Sequence, residues 1–171
     1  PLVNKDALGN AWFVNSWYPA ENPDEELEAI NKIDPSNEAV INKKHTELLN
    51  EADPDTASSG SIELVSYRAN RLIYDYVSAA TKLVVFSEIY YPKGWNAYID
   101  GEPAQHFQVN YVLRGMVVPE GSHEIVFRFE PESYEIGNKV SLAGSVLLIL
   151  VIVAYIFYLV RRKTKTEDAG S

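Results

Sequence analysis

The chain has 171 residues, 24 of them acidic against 15 basic, a net charge of −9, and no cysteine. Such an excess of carboxylates repels the phosphates of DNA, RNA and anionic lipid headgroups, which argues against them as main partners. Without thiols there is no disulfide staple, no thiolate nucleophile, no CxxC redox pair and no cysteine-bound zinc.

The chain opens with a turn at Leu8-Gly9-Asn10 and an aromatic-rich strand over residues 11–17, broken by Pro19 and Pro23. Pro23-Asp24-Glu25-Glu26 suits a helix start, with proline in the first turn and acids at the positive end of the dipole. Leu27, Ile30 and Ile33 supply an apolar stripe, so a helix is predicted over residues 23–32, ending before Asp34-Pro35. Residues 38–41 read as a short strand, 42–52 as a loop or short helix, and 53–61 as a turn-rich linker.

From Ile62 the periodicity becomes that of strands. Residues 62–67 alternate, and 72–77 follow across the hairpin connection Arg68-Ala69-Asn70-Arg71. Residues 81–90 (TKLVVFSEIY) are predicted as a central strand buried on both faces. Residues 95–99 form the next strand, and Asp100-Gly101 suits a type I′ turn. Residues 109–118 read as one strand and Pro119-Glu120-Gly121 as a turn. Residues 124–129 (EIVFRF) read as a strand with Ile125, Phe127 and Phe129 on one face. The spacing predicts a mainly β fold, an antiparallel β-sandwich of jelly-roll-like type with one or two short helices.

Residues 140–160 (VSLAGSVLLILVIVAYIFYLV) carry no charge and are apolar all round. A helix of that length reaches about 30 Å, the thickness of a bilayer's hydrocarbon core. Arg161, Arg162, Lys163 and Lys165 follow at once, and the positive-inside rule puts them in the cytoplasm. Residues 1–139, with 22 acidic and 11 basic groups, are then expected on the outer side of the membrane. The predicted organisation is residues 1–61 as the N-terminal strand and helix part of the outer domain, and 62–139 as its sandwich core. Residues 140–160 are the span and 161–171 a basic tail. The juncture over residues 130–137 is short, so the sandwich is expected close to the bilayer. Ser141, Gly144 and Ser145 are small enough to admit a neighbouring helix. The first residues hold no initiator Met, basic n-region or apolar stretch, and an outer domain needs a leader or a preceding span. A longer protein is therefore expected, of which this is the end.

The runs SEIYYPKGWNAYIDG (residues 87–101), NYVLRG (110–115) and VPEGSHEIVFRFEP (118–131), with GNAWFV (9–14) and Asp34-Pro35, resemble the C-terminal region of YfhO-type bacterial membrane proteins. That family is similar to GT-C glycosyltransferases, which move a sugar from a polyprenyl-phosphate carrier to an acceptor on the outer face. The resemblance implies the tail of a polytopic protein of the bacterial cytoplasmic membrane, packed against the upstream helices. It also implies a non-catalytic outer domain, because the catalytic acid of such enzymes lies in an early outer loop. No catalytic residue is assigned.

The candidate binding residues are Glu88, Tyr91, Trp95, Asn110, Tyr111 and Arg114, in a stretch that also holds Tyr90 and Tyr98. Aromatic faces stack on sugar rings while carboxylates, amides and guanidinium bond hydroxyls, which suits an envelope glycan or polyprenyl-linked sugar. The same aromatics equally suit the core of a sandwich, with no ligand. Glu88 and Asp100 are better explained by strand and turn chemistry than as a hydrolase pair. His45, His106 and His123 share no metal-ligand spacing and are expected at the surface; no metal or cofactor is expected. The other readings are a structural or protein-interaction module, or a single-span surface binder with a cleaved leader.

Overall fold

A computed structural model describes residues 7–52 and 60–167; the linker expected over 53–61 lies largely outside the described residues. The chain divides into two compact units after Glu130.

In the first unit, β1 (Ala11–Val14) and β2 (Ser16–Ala20) lead to α1 (Pro23–Ile30), β3 (Glu38–Asn42) and a 3-10 helix over Lys43–Leu49. After the undescribed stretch come β4 (Gly60–Arg68), β5 (Arg71–Ser78), β6 (Lys82–Ile89), β7 (Trp95–Ile99) and β8 (Glu102–Ala104). Then follow β9 (Phe107–Val109), β10 (Leu113–Val118) and β11 (Gly121–Phe129). They make two sheets, of order β1-β6-β10-β9-β3-β2 and β4-β5-β11-β7-β8. The fold is thus mainly β with two sheets and few helices, as the strand spacing predicts. Pairing is antiparallel throughout the described ladders except between β2 and β3, which run parallel.

The strand expected over residues 11–17 breaks at Asn15. The Asn15 and Ser16 amides both donate to the Asn37 carbonyl, at 2.9 and 3.3 Å, and Asn15 Nδ2 donates to Asn37 Oδ1 at 2.7 Å. These bonds swing the chain from β6, where β1 pairs, to β3, where β2 pairs. β1 and β2 stand at opposite ends of the strand order yet are joined by this one residue, so the sheet curls until its edges meet.

The curl separates two cores, and β6 feeds both. Leu83 and Val85 pack with Val14, Ile41, Phe107 and Val109 inside the curled sheet. Val84 and Phe86 pack with Tyr74, Met116, Ile125 and Phe127 between the sheets. Period-two alternation with both faces covered is why the β6 run is apolar without a break.

Asn22 caps α1, its Oδ1 accepting from the Glu25 amide at 3.0 Å while Glu25 Oε2 accepts from the Glu21 amide at 2.9 Å. The strand expected over residues 109–118 is split in two. Asn110 and Tyr111 have φ of 47° and 68° and turn the chain between β9 and β10. Asn110 is pinned because its amide donates to the Val40 carbonyl at 2.8 Å and its Oδ1 accepts from the Val40 amide at 2.7 Å.

The Asp100-Gly101 turn forms as expected, with φ of 52° and 87° joining β7 to β8. Asp100 Oδ1 accepts from the Glu124 amide at 2.8 Å, and His123 Nδ1 lies 2.6 Å from Asp100 Oδ2. The hydrogen bond to Asp100 holds the His123 imidazole above its ordinary pKa, and the same bond holds the Asp100 carboxyl below its own. The raised His123 stabilises the fold below the unfolded imidazole value of about 6.5, and that contribution is lost as pH rises through the folded value. The lowered Asp100 stabilises it above about 3.9, and that contribution is lost as pH falls through the folded value. The pair is therefore expected to contribute most between about pH 4 and 6.5. Asp100 is exposed and His123 only partly covered, so solvent screens the pair, and a double-mutant cycle with Asp100→Asn and His123→Gln should give a coupling under about 1 kcal/mol at pH 5.5 and less at pH 9. A coupling that grows with pH would contradict the assignment.

In the second unit α2 spans Glu132–Glu167. Within it Gly137–Ile156 is long and apolar enough to cross a membrane, by length and composition, with a mean hydropathy of 2.3. Ser145 Oγ donates to the Ser141 carbonyl at 2.9 Å, which satisfies that hydroxyl within the helix.

Candidate functional site

Arg114 is the centre from which the site is built. It lies on β10 with 2% of its surface exposed, and its Nε donates to the Ile89 carbonyl at 3.0 Å. Its guanidinium carbon sits 4.4 Å from the Trp95 ring centroid and 5.0 Å from that of Phe127. Burial pulls the guanidinium below its ordinary pKa, while the nearby Glu88 carboxylate opposes that shift. Burial likewise pushes the Tyr74 hydroxyl well up, with Glu88 adding to it.

Phe127 is the hub beneath the arginine. Phe86, Tyr74 and His106 meet its ring edge to face, at centroid distances of 4.9, 6.1 and 5.6 Å. Among the described residues, three buried polar atoms of the side chains around it have no hydrogen-bond partner: Arg114 Nη1, Tyr74 Oη and His106 Nδ1. The aromatic faces compensate such groups only weakly, which makes this the most polar-strained part of the core.

A groove of about 460 Å³ opens beside this centre. Tyr90, Trp95 and Tyr98 line it with aromatic surface, and Asn96, Gln105 and His106 bring amides and an imidazole. Tyr98 Oη and Asn96 Nδ2 both donate to Glu130 Oε2, at 2.8 and 3.0 Å. The Asn96 and Tyr98 bonds hold the Glu130 carboxyl below the usual carboxylate range. Arg128 covers the Tyr98 ring at 4.7 Å. His106 Nε2 lies 2.9 Å from the Trp95 carbonyl, which can only accept, so Nε2 carries the proton. Burial, with the Arg114 cation adding to it, holds this imidazole below its ordinary pKa and therefore neutral.

The structure thus brings together only part of the predicted set. Trp95 and Arg114 are in contact, and Glu88 acts on Arg114 through space. Tyr91 is 48% exposed and outside the groove lining. Asn110 and Tyr111 are held in the β9–β10 turn, where the Tyr111 carbonyl accepts from Gln108 Nε2. Asn96, Gln105 and His106 were missed. The signal for them lay in the Asp100-Gly101 turn, which folds β8 back on β7 with Ala97 opposite Ala104, and so carries residues 105 and 106 back toward the start of β7, where His106 meets the Trp95 carbonyl.

The histidines are not plain surface groups, because each is partly covered. His45 packs on Phe107 and His123 on Tyr76, at centroid distances of 5.6 and 6.1 Å. Among the described residues no group of three His, Asp or Glu side chains could hold a metal ion. A second groove of about 440 Å³ lies between β2 and α1, lined by Tyr18, Glu25, Glu28 and Lys32 among others. Its single aromatic is engaged, since Tyr18 Oη donates to Glu38 Oε1 at 3.0 Å.

No curated protein and no solved structure matches the chain. A family described as Bacterial membrane protein YfhO matches over residues 37–141. That range holds the groove, the Arg114 centre, the three long runs that carry the resemblance and the first residues of the apolar stretch. The runs at 9–14 and 34–35 fall outside it. With well over half of its length matched, the chain belongs to the YfhO family of bacterial membrane proteins.

Proposed function

We propose that this chain supplies a non-catalytic outer domain and a membrane span to glycosyl transfer from a polyprenyl-phosphate sugar, in assembly of a bacterial envelope glycan. The domain holds a saccharide of the acceptor or donor while chemistry happens elsewhere in the parent protein. The observation that carries this reading is the groove itself, whose volume falls in the range of small-ligand sites and whose lining pairs rings with neutral donors and acceptors. Neutral polar groups suit sugar hydroxyls, and the aromatic faces suit the C–H faces of the ring. The basic run Arg161, Arg162, Lys163 and Lys165 supports a cytoplasmic tail, hence an outer position for the domain in the cytoplasmic membrane. The span is expected to pack against other helices of the parent protein.

Titrating the full chain in nanodiscs with hexoses and N-acetylhexosamines, read by tryptophan fluorescence, tests this. Gln105 is exposed and lies outside the core clusters, so Gln105→Ala should leave folding intact. It should weaken saccharide binding about tenfold, the equivalent of one lost hydrogen bond of about 1.4 kcal/mol.

The second reading is a structural or interaction module of the same fold. It is favoured by the packing of Trp95 on buried Arg114, which gives that ring a core role independent of any ligand. Absence of saccharide binding by the folded chain would select it.

A further inference from the structure

The acidic domain exposes several large apolar side chains at one end. Ile89, Tyr91, Val112 and Phe129 are 70%, 48%, 46% and 39% exposed. They belong to neighbouring backbone: Leu113 pairs with Ile89, the Tyr90 amide donates to the Val112 carbonyl, and the Trp95 amide donates to the Tyr91 carbonyl. Gly94 lies against the Phe129 ring, where an added Cβ would come within 2.5 Å.

The basic residues gather at the same end. In the paired register Arg68 lies opposite Arg71, and Arg71 opposite Arg128. Lys93 sits in the loop before β7, and the Phe129 amide donates to the Asn70 carbonyl of the β4–β5 turn. Of the nearby acids, Glu130 is tied to Asn96 and Tyr98, and Glu88 faces the charge of buried Arg114.

Chain length decides what this end meets. Phe129 ends β11, α2 begins at Glu132, and the apolar segment begins at Gly137. Two extended residues and five helical ones reach at most about 15 Å. The polar layer of each leaflet is about 5–8 Å deep. If Gly137–Ile156 crosses a bilayer, the end of β11 is held at or just above the headgroups, whatever angle the domain takes.

We propose that this end of the domain rests on the anionic headgroup layer, its rings and aliphatic side chains in the interface and its arginines and lysine on the phosphates. The net charge of the domain speaks against such lipids, but the local charge decides a contact shorter than a Debye length. The inference does not depend on the saccharide reading of the groove.

The chain has no cysteine, so single spin labels report cleanly. Labels on Ile89→Cys and Val112→Cys, both exposed, are compared with Ala79→Cys, an exposed position that follows β5 at the far end of β11. The full chain is placed in nanodiscs of equal parts phosphatidylcholine and phosphatidylglycerol. Power saturation should show the first two labels more accessible to oxygen than to a water-soluble nickel chelate, with the reverse at residue 79. Adding Arg68→Glu and Arg71→Glu should shift the residue 89 label toward the aqueous value. Labels as aqueous as residue 79 overturn the proposal. So do labels closed to both reagents, which would mean that protein covers the patch. A depth unmoved by the charge reversal overturns the headgroup contact.

Discussion

Replacing Phe127 with alanine should lower the unfolding free energy by about 3–5 kcal/mol, read from a shifted denaturant midpoint at unchanged slope. The ring is 0% exposed and has Phe86, Tyr74, His106 and the Arg114 guanidinium around it. Edge-to-face ring pairs contribute about 0.5–1.5 kcal/mol each beyond burial, and several disappear together. The void left behind adds to the loss because its walls come from two sheets and from strands paired on both sides, which limits collapse. Phe129→Ala is the internal comparison. It lies two residues further along β11 and is 39% exposed, so its truncation should cost about 1 kcal/mol or less. Equal losses at the two positions would contradict the placement of the core between the sheets.

Arg114 should separate volume from charge. Arg114→Ala removes both, and a loss of about 3 kcal/mol is expected, in the range of other large-to-small core changes. Arg114→Met keeps most of the volume and removes a cation held below its ordinary pKa by burial, with an Nη1 that finds no partner among the described residues. A desolvated, imperfectly paired charge contributes little net stability, so the methionine variant should stay within about 1 kcal/mol of the parent. It should nonetheless lose the guanidinium that holds Trp95 from below at 4.4 Å. A red-shifted tryptophan emission and weaker saccharide binding at near-normal stability would show that the charge positions the groove wall. A methionine variant as unstable as the alanine one would make the arginine a net stabiliser of the core.

How far the sequence specifies this architecture depends on how local the determining contact is. The Asp100-Gly101 turn and the capped start of α1 are fixed within four residues, and both form where their residues predict. β6 was readable because burial on two faces leaves no polar alternation. The break at Asn15 was not, because it depends on Asn37, and the split between β9 and β10 was not, because it depends on Val40. Alternation alone carries the chain straight through both places. For the site, Trp95 stood out by residue type. His106 enters because the β7–β8 hairpin returns the chain to the Trp95 carbonyl, and Arg114 is buried because β10 lies between β6 and β9.

The single-residue joint at Asn15 has a consequence for how copies of this domain behave side by side. A sheet edge is a template for pairing with another chain, and a membrane confines its proteins to high local concentration. By curling, the six-stranded sheet brings its two end strands to the same residue. In the five-stranded sheet, β8 is three residues long with Pro103 at its middle, a position that cannot donate to a neighbour. The other end strand, β4, is interrupted by a register shift between Leu64 and Ser66. Among the described residues, edge-to-edge growth between crowded copies thus meets an interruption at every side of the domain.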